Sequence, residues 1–147
     1  MSKEEVWTRS SNYREIYFKH NKGIFYKWYL CAYCRDKFLE KDIVEVDHCI
    51  AVNAVKKKWY FQLFFMLLGT NVNDNLNLVA ACRKCNRAKR DKSGKWIIRG
   101  AFGKVEHLIL QGLSQMLLKS LAKYWYVYVS LVGLLVFNLV AGLRFGG

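Results

Sequence analysis

The sequence predicts an α+β fold: a small domain held together by four cysteines, followed by a helical, apolar C-terminal segment. Three observations predict this arrangement. Two Cys-x-x-Cys pairs, Cys31/Cys34 and Cys82/Cys85, enclose the middle of the chain. Between them lie short stretches that alternate apolar and polar residues, as half-buried strands do. The last 24 residues carry a single charged residue, Arg144, so the polar domain ends before them.

Composition narrows the class of partner and the compartment. The chain has 147 residues, enough for one core, and a net charge of +13 with a pI near 9.7. Such a charge favours a polyanion, either nucleic acid or an acidic membrane surface. The charged N-terminal stretch has no apolar core of the kind that a secretory signal needs. Because four of the five cysteines form Cys-x-x-Cys pairs, we expect an intracellular metal-binding protein rather than a disulfide-linked one.

The N-terminal part, residues 1–28, is a basic and aromatic extension in which residues 10–20 favour a helix. Residues 29–104 form the predicted domain. Its elements are strands at roughly 42–52 and 76–81, and a helix that follows Cys82 and ends at Gly94.

An apolar insertion, residues 54–70, interrupts this domain. Its core is "WYFQLFFMLLG" at 59–69, about three helical turns. A helix that crosses a bilayer needs about 20 apolar residues, so this block is too short to span one. We expect a core helix or a surface that docks on another molecule, such as a protein partner.

The C-terminal third reads as two helical segments. Residues 105–123 form an amphipathic helix, and residues 124–143 contain no charge over a length of about 30 Å, which matches the hydrocarbon core of a membrane. Lys119 and Lys123 precede the second segment and favour an orientation with the basic domain on the cytoplasmic side. The alternative for 124–143 is a buried helix or strand of a soluble domain. The apolar positions of the first segment recur at steps of three and four: Val105, Leu108, Ile109, Leu113, Met116, Leu117 and Leu121.

The two Cys-x-x-Cys pairs predict one structural zinc site. Each pair can bring two thiolates to one ion from a tight turn, and the four thiolates Cys31, Cys34, Cys82 and Cys85 complete a tetrahedral shell with no open position. The alternatives are buried free thiols or a redox pair. The fifth cysteine, Cys49, is expected to be a small buried apolar residue.

Between the two pairs lies "EVDHCIAV", which places Asp47 beside His48, and the second pair is preceded and followed by asparagine in "NLNLVAACRKCN". This pattern resembles the HNH nucleases over residues 29–92. The resemblance implies a ββα-metal fold, two strands and a helix around one metal ion. It also implies that His48 is the general base, that Asn77 orients it, and that Asp47 and Asn86 bind the catalytic metal.

The chemistry of phosphodiester hydrolysis fits these residue types. A neutral imidazole with a pKa near 6.5 can take a proton from water at neutral pH. Two oxygen ligands favour Mg²⁺ or Mn²⁺ over a second zinc ion and leave positions for phosphate and water. Adjacent strand residues point in opposite directions, so a local irregularity is expected where Asp47 and His48 meet one phosphate. The sequence departs from the family in placing 28 residues between His48 and Asn77.

The helix after Cys82 is the expected nucleic-acid interface. Nine Lys or Arg residues lie between positions 82 and 104, against the single acid Asp91. Such density suits non-specific contact with phosphates, and a solvated helix face is the alternative. The residues expected to contact DNA, or RNA in its place, are Arg83, Arg87, Lys89, Arg90 and Lys92.

Three functions are compatible with these residues. The first is a metal-dependent HNH-type endonuclease attached to a membrane. The second is a catalytically silent, HNH-derived zinc module that serves as a structural subunit of a membrane or ribonucleoprotein complex, with the apolar insertion and the tail contacting its partners. The third is a basic zinc protein that binds nucleic acid without cutting it.

Overall fold

The computed structural model of the chain describes residues 7–145, with side chains from residue 7 to residue 141. It is a mixed α+β structure with two two-stranded sheets and a long C-terminal helix, which confirms the predicted α+β class. Residues 1–6 of the predicted N-terminal extension lie outside the described residues. In chain order the elements are α1 Tyr13–His20, β1 Trp28–Leu30, β2 Phe38–Glu40, β3 Glu45–His48, α2 Val52–Lys57, α3 Trp59–Leu67, β4 Leu78–Ala81, α4 Arg83–Lys89 and α5 Lys95–Phe145.

Strands β3 and β4 pair antiparallel and form the centre of the domain. Their register sets Glu45 opposite Ala81 at one end and His48 opposite Leu78 at the other. All four residues of β4 are buried, whereas β3 alternates, with Val46 and His48 buried. The predicted strand at 42–52 is therefore shorter in the structure, because the chain turns directly after His48. Strands β1 and β2 form a separate antiparallel hairpin.

Two clusters of buried apolar side chains hold the domain. The larger one joins α1, the β1–β2 hairpin and the β3–β4 pair, and includes Tyr17, Val46 and Leu78. The smaller one consists of Ile50, Val55, Phe65 and Val72. Val55 and Phe65 of the insertion thus share a small core with Ile50 and Val72 at its borders, which explains how the domain accommodates it. The predicted apolar block forms α3, with Phe65 as its buried residue.

Helix α4 ends at Lys89, before the predicted stop at Gly94. Arg90, its C-terminal cap, has a φ of 51° and a ψ of −117°, so the backbone leaves helical geometry at this residue. Gly94, with a φ of 64°, instead precedes the first turn of α5.

The first part of α5 packs on the domain through small and polar residues. A Cβ at Gly103 would lie 2.1 Å from the Ala32 carbonyl oxygen, so only glycine allows this close approach. Further along, the polar side chains of α5 accept hydrogen bonds from backbone N–H groups of the 23–30 segment. The pairs are Leu30 N to His107 Nδ1 at 3.3 Å, Gly23 N to Gln111 Oε1 at 3.2 Å and Phe25 N to Ser114 Oγ at 3.0 Å.

The apolar stripe predicted for 105–123 is present but faces outward. Its seven residues are 41% to 69% exposed, because the small and polar face is the one that packs on the domain. The helix continues beyond Tyr124, where the backbone leaves helical geometry (φ −115°, ψ 16°). The stretch Lys95–Ala141 is long and apolar enough to cross a membrane, and its most apolar window is 0% buried. The structure thus has a helix rather than a strand at 124–143, and its side chains are exposed from residue 124 to residue 140.

Candidate metal and catalytic site

The four paired cysteines meet at one point between β1 and α4. The Sγ atoms of Cys31, Cys34, Cys82 and Cys85 all lie within 4.8 Å of one another. Four thiolates on a tetrahedral zinc ion, each at about 2.3 Å from it, would be separated by about 3.8 Å. The cluster therefore fits a metal ion such as zinc after a small contraction.

Backbone groups already face the sulfur atoms of this cluster. The Cys82 N–H donates to Cys31 Sγ at 3.3 Å, and the Cys85 N–H donates to Cys82 Sγ at 3.5 Å. Burial acts to raise the pKa of Cys82, but the Cys85 N–H and the neighbouring thiols outweigh it and lower that pKa. Such donors stabilise the thiolate form that binds metal.

Cys49 lies outside the cluster. Its thiol donates to the Ile97 carbonyl at 3.3 Å, and burial raises its pKa to about 11. It is a neutral buried side chain, which confirms the prediction made for it.

The opposite end of the β3–β4 pair opens into a cleft of about 600 Å³, the His48 cleft. Three of the predicted site residues, Asp47, His48 and Asn86, line it together. The predicted local irregularity is absent, since Asp47 and His48 keep regular antiparallel partners in β4. Both residues reach the cleft because it lies at the strand end. The other lining residues are Arg9, Ala51, Val52, Asn53, Lys56, Arg90 and Asp91.

The hydrogen bonds of His48 define its tautomer. Its Nε2 lies 3.1 Å from Asn73 Oδ1, which also accepts from the Ser10 N–H, while Asn73 Nδ2 donates to the Thr8 carbonyl. These two backbone partners fix which end of the Asn73 amide carries the oxygen. Because an amide oxygen only accepts, Nε2 of His48 carries the hydrogen and Nδ1 of the neutral ring keeps its lone pair.

The surroundings of His48 keep it neutral. Burial lowers its pKa below the ordinary 6.5, and the nearby cations Arg9 and Lys89 act in the same direction, against the Asn73 hydrogen bond and Asp47. The Tyr13 ring lies 5.2 Å from the imidazole, and the Arg9 guanidinium lies 4.2 Å from that Tyr13 ring. A neutral, oriented imidazole at pH 7 is the form that a general base requires.

Asp47 is held by two donors on one oxygen. Its Oδ2 accepts from the Tyr33 hydroxyl at 2.6 Å and from the Lys89 ammonium at 2.9 Å. Burial and the neighbouring Asp47 raise the pKa of Tyr33, so its hydroxyl stays a donor. Neither contact involves Oδ1, the other oxygen of the Asp47 carboxylate.

The position of Lys89 corrects a prediction. Its side chain is 0% exposed, and its ammonium also donates to the His48 carbonyl at 2.7 Å. A phosphate cannot reach this group while the contacts hold, so Lys89 belongs to the interior of the site rather than to a nucleic-acid surface.

Asn86 and Asn77 have different structural roles. Asn86 donates from Nδ2 to Glu45 Oε2 at 2.7 Å, which leaves its amide oxygen as the group that could bind a metal. Asn77 is buried and binds backbone: it accepts from the Ile50 N–H at 2.7 Å and donates to the carbonyls of Ile50 and Val72. It fixes the turn after His48, whereas the direct partner of the imidazole is Asn73.

The remaining predicted nucleic-acid residues lie on α4, as Arg83 and Arg87 do, or directly after it, as Arg90 and Lys92 do. Arg90 lines the His48 cleft, and Lys92 donates to the Ala88 carbonyl at the surface. Arg83 and Arg87 line a second open cleft of about 960 Å³, together with Arg14 and Lys37.

Comparisons with family models, with curated proteins and with solved structures each gave no match to this chain. The resemblance to HNH nucleases is therefore carried by the motif residues themselves, and a functional assignment has to come from the chemistry of the site.

Proposed function

We propose that the protein is a metal-dependent HNH-type endonuclease that hydrolyses phosphodiester bonds of DNA, with RNA as the alternative substrate. The observation that carries the proposal is that Asp47, His48 and Asn86 line one open cleft with Arg9 and other cations. In support, the cleft lies at the end of the unit formed by β3, β4 and α4. Its two strands and helix are those that the resemblance implies for a ββα-metal fold, with α2 and α3 inserted between the strands.

His48 acts as the general base. Its Nδ1 takes a proton from the attacking water while Nε2 stays bonded to Asn73, so the ring does not need to rotate during the reaction. Arg9, Lys56 and Arg90 attract the phosphate backbone and offset the charge of the substrate in the cleft.

Asp47 and Asn86 would hold one hard divalent cation, Mg²⁺ or Mn²⁺. Each has an oxygen that is outside the contacts described above, Oδ1 of Asp47 and the amide oxygen of Asn86. Such a donor set fits these ions better than zinc. When bound, the ion supplies Lewis-acid stabilisation of the phosphate and of the departing oxygen. Lys89 and Tyr33 keep the Asp47 carboxylate in place for this purpose.

The same proposal assigns the protein an intracellular, membrane-attached location. Residues 124–143 cross the membrane, and Lys119 and Lys123 before them keep the basic domain on the cytoplasmic side. The outward apolar surface of this helix supports the assignment, since its most apolar stretch of 18 residues has no buried residue.

The test is cleavage of supercoiled plasmid by the full chain in detergent, with Mg²⁺ or Mn²⁺ against EDTA. We expect metal-dependent nicking that falls by at least about 10²-fold in His48→Ala. His20→Ala is the matched control, because His20 is an exposed histidine whose Nδ1 lies beside the Ile16 carbonyl. Equal cutting by wild type and His48→Ala, or no cutting by folded, zinc-loaded protein with either ion, would refute the assignment.

One observation favours the silent zinc module as a second candidate. The Lys89 ammonium already neutralises Asp47 at 2.9 Å, so the carboxylate is satisfied without a metal. This candidate predicts no cutting and no Mn²⁺ binding at Asp47. If nucleic acid still binds in a gel-shift assay, with affinity unchanged in His48→Ala, the third function, binding without cutting, gains support instead.

A further inference from the structure

Helices α3 and α5 enclose an apolar groove on the face of the domain formed by the insertion. The groove has a volume of about 270 Å³ and is lined by Phe64, Phe65, Leu68, Ile97 and Ala101, among others. Residues of the two helices thus line the same space, although the helices are separated in sequence.

Both helices carry large apolar side chains that the fold leaves in solvent. On α3, Trp59 is 71% exposed and Leu67 is 77% exposed, while Phe65 is the one buried residue of that helix. On α5, Ile98 and Phe102 are 59% and 66% exposed, and the stripe that begins at Val105 continues this surface. Soluble monomers rarely expose a contiguous apolar area of this kind, so the surface indicates a partner.

Basic and amphipathic residues border the same surface. Lys56, Lys57 and Lys58 directly precede α3, and Lys95 and Arg99 lie in the first turns of α5. Apolar side chains that enter the acyl region beside Lys and Arg at headgroup level are typical of helices on anionic membranes. The neighbouring Trp59 and Tyr60, both exposed, are residue types that favour the membrane interface.

Helix α5 is longer than a single membrane span requires. The apolar helix Lys95–Ala141 has 47 residues, about 70 Å at 1.5 Å per residue, which is more than twice the roughly 30 Å of a hydrocarbon core. The backbone break at Tyr124 divides it. If the part after Tyr124 spans the membrane, the part before it lies outside the hydrocarbon core. A bend at Tyr124 would then lay that part along the leaflet, together with α3, which shares the groove with its first turns.

We propose that α3 and the outward stripe of α5 over residues 95–121, together the α3–α5 surface, lie on the surface of a bilayer that contains anionic lipid. The domain would then be held against the membrane by two helices in addition to the spanning segment. The proposal rests on the membrane attachment proposed above and not on nuclease activity.

The test uses the full chain reconstituted in vesicles of phosphatidylserine and phosphatidylcholine whose acyl chains are brominated, because bromine quenches tryptophan only in lipid. The background is Trp125→Phe, which removes the tryptophan of the spanning segment. In this background we expect Trp59→Phe to lower the quenched fraction by about twofold, since Trp59 would lie at the interface. Trp28→Phe is the matched control and should change it little, because Trp28 lies on β1, outside the surface.

A second variant tests the surface without removing the reporter. Met66→Lys with Leu67→Lys places charge at two exposed positions, so the fold should survive while α3 leaves the acyl region. We expect quenching of Trp59 to fall about twofold, whereas Ile43→Lys, at an exposed position between β2 and β3, should leave it unchanged.

The outcomes separate this proposal from the membrane attachment. Unquenched Trp59 in a chain that resists alkaline extraction would overturn the α3–α5 surface and leave the spanning segment intact. Quenched Trp59 in a chain that alkali extracts would support the surface and overturn the span. A dimer in nanodiscs that dissociates in the Met66→Lys, Leu67→Lys variant would identify a second copy as the occupant and overturn the lipid proposal.

Discussion

The β3–β4 pair is only four residue pairs long, yet its two ends carry different kinds of side chains. At the Glu45/Ala81 end, β4 leads into Cys82 and the four sulfur atoms. At the His48/Leu78 end, charged and amide side chains line an open cleft. Helix α4 joins the two, because it follows Cys82 and ends at Lys89, whose ammonium returns to Asp47 and the His48 carbonyl.

The difference shows how one small domain separates stability from reactivity. A closed four-thiolate site leaves no coordination position, so its contribution is to the free energy of folding. The cleft end places charged, imidazole and amide side chains along an open cleft. It is tied to α4 through the Lys89 ammonium. The position of His48 should therefore depend on metal binding at the far end of the helix, and variants at the two ends should fail differently.

The largest loss of stability is expected for a substitution in the four-cysteine cluster. Cys82→Ser removes one thiolate at the start of α4, and structural zinc contributes on the order of 10 kcal/mol to the folding of small domains. We expect loss of bound zinc and of cooperative unfolding, measured by metal analysis and by thermal denaturation in detergent.

Cys49→Ala is the matched control for that variant. Cys49 is buried but belongs to no metal cluster, so zinc content should stay at the wild-type level while the unfolding temperature falls by a few degrees. A Cys82→Ser chain that folds as well as Cys49→Ala would show that the cluster does not hold a structural metal.

The next effect is expected where α4 reaches the cleft. Lys89→Met leaves the Asp47 carboxylate, 13% exposed, without its cation. Removal of one partner of a buried ion pair costs about 3–5 kcal/mol. We expect a loss of unfolding free energy of this order in denaturant titrations, with the zinc content unchanged.

Two further variants sharpen this result. Lys92→Met changes an exposed lysine of the same region and should cost less than about 0.5 kcal/mol. Asp47→Asn combined with Lys89→Met removes the unpaired charge and should recover part of the loss, as a double-mutant cycle would show. Equal stability of Lys89→Met and Lys92→Met would contradict the buried pair.

Local patterns predicted the elements and the sulfur cluster well. Cysteine spacing identified the four sulfur atoms of the cluster, because each Cys-x-x-Cys pair brings two thiols together in one tight turn. The helical period of residues 105–123 likewise identified the apolar stripe of α5. The same period could not tell which face packs on the domain. That choice is made by Gly103 and His107, whose contacts with Ala32 and Leu30 join segments about 70 residues apart.

The sequence motif predicted three residues of the cleft but not their contacts. The motif indicated Asp47, His48 and Asn86, which share the cleft. It gave no signal that Asn73, in an asparagine-rich loop, would meet the imidazole in place of Asn77. It also treated Lys89 as a surface cation, because the burial of one lysine on a basic helix depends on the tertiary position of Asp47.

A smaller effect, with a defined pH dependence, belongs to the sulfur end. His107 is 2% exposed and accepts from the Leu30 N–H, and burial lowers its pKa from 6.5 to about 4. Its stabilisation is therefore complete above pH 6.5 and is lost as the pH falls towards 4, because the unfolded chain binds the proton first. The shift corresponds to about 3 kcal/mol over that interval.

His107→Gln isolates this contribution from acid-driven loss of metal. Glutamine can accept from the same N–H but does not titrate, so the variant should lose less unfolding free energy between pH 7 and pH 5 than wild type. The comparison is made by denaturant titration at each pH with zinc content recorded. Parallel pH dependence of the two proteins would show that His107 is not buried as a neutral ring.

The smallest effect is expected for a variant that tests whether Asn73 orients the His48 ring or shields it from water. Asn73→Ala removes the oxygen that accepts from His48 Nε2, a contact that raises the pKa of the imidazole against burial. The pKa of His48 should therefore fall further below 6.5, measured by NMR titration of the ring. Asn53→Ala, in the same cleft, is the control and should leave that pKa in place. A rise of the pKa in Asn73→Ala would mean that water reaches the ring, and that Asn73 excludes solvent rather than setting the tautomer.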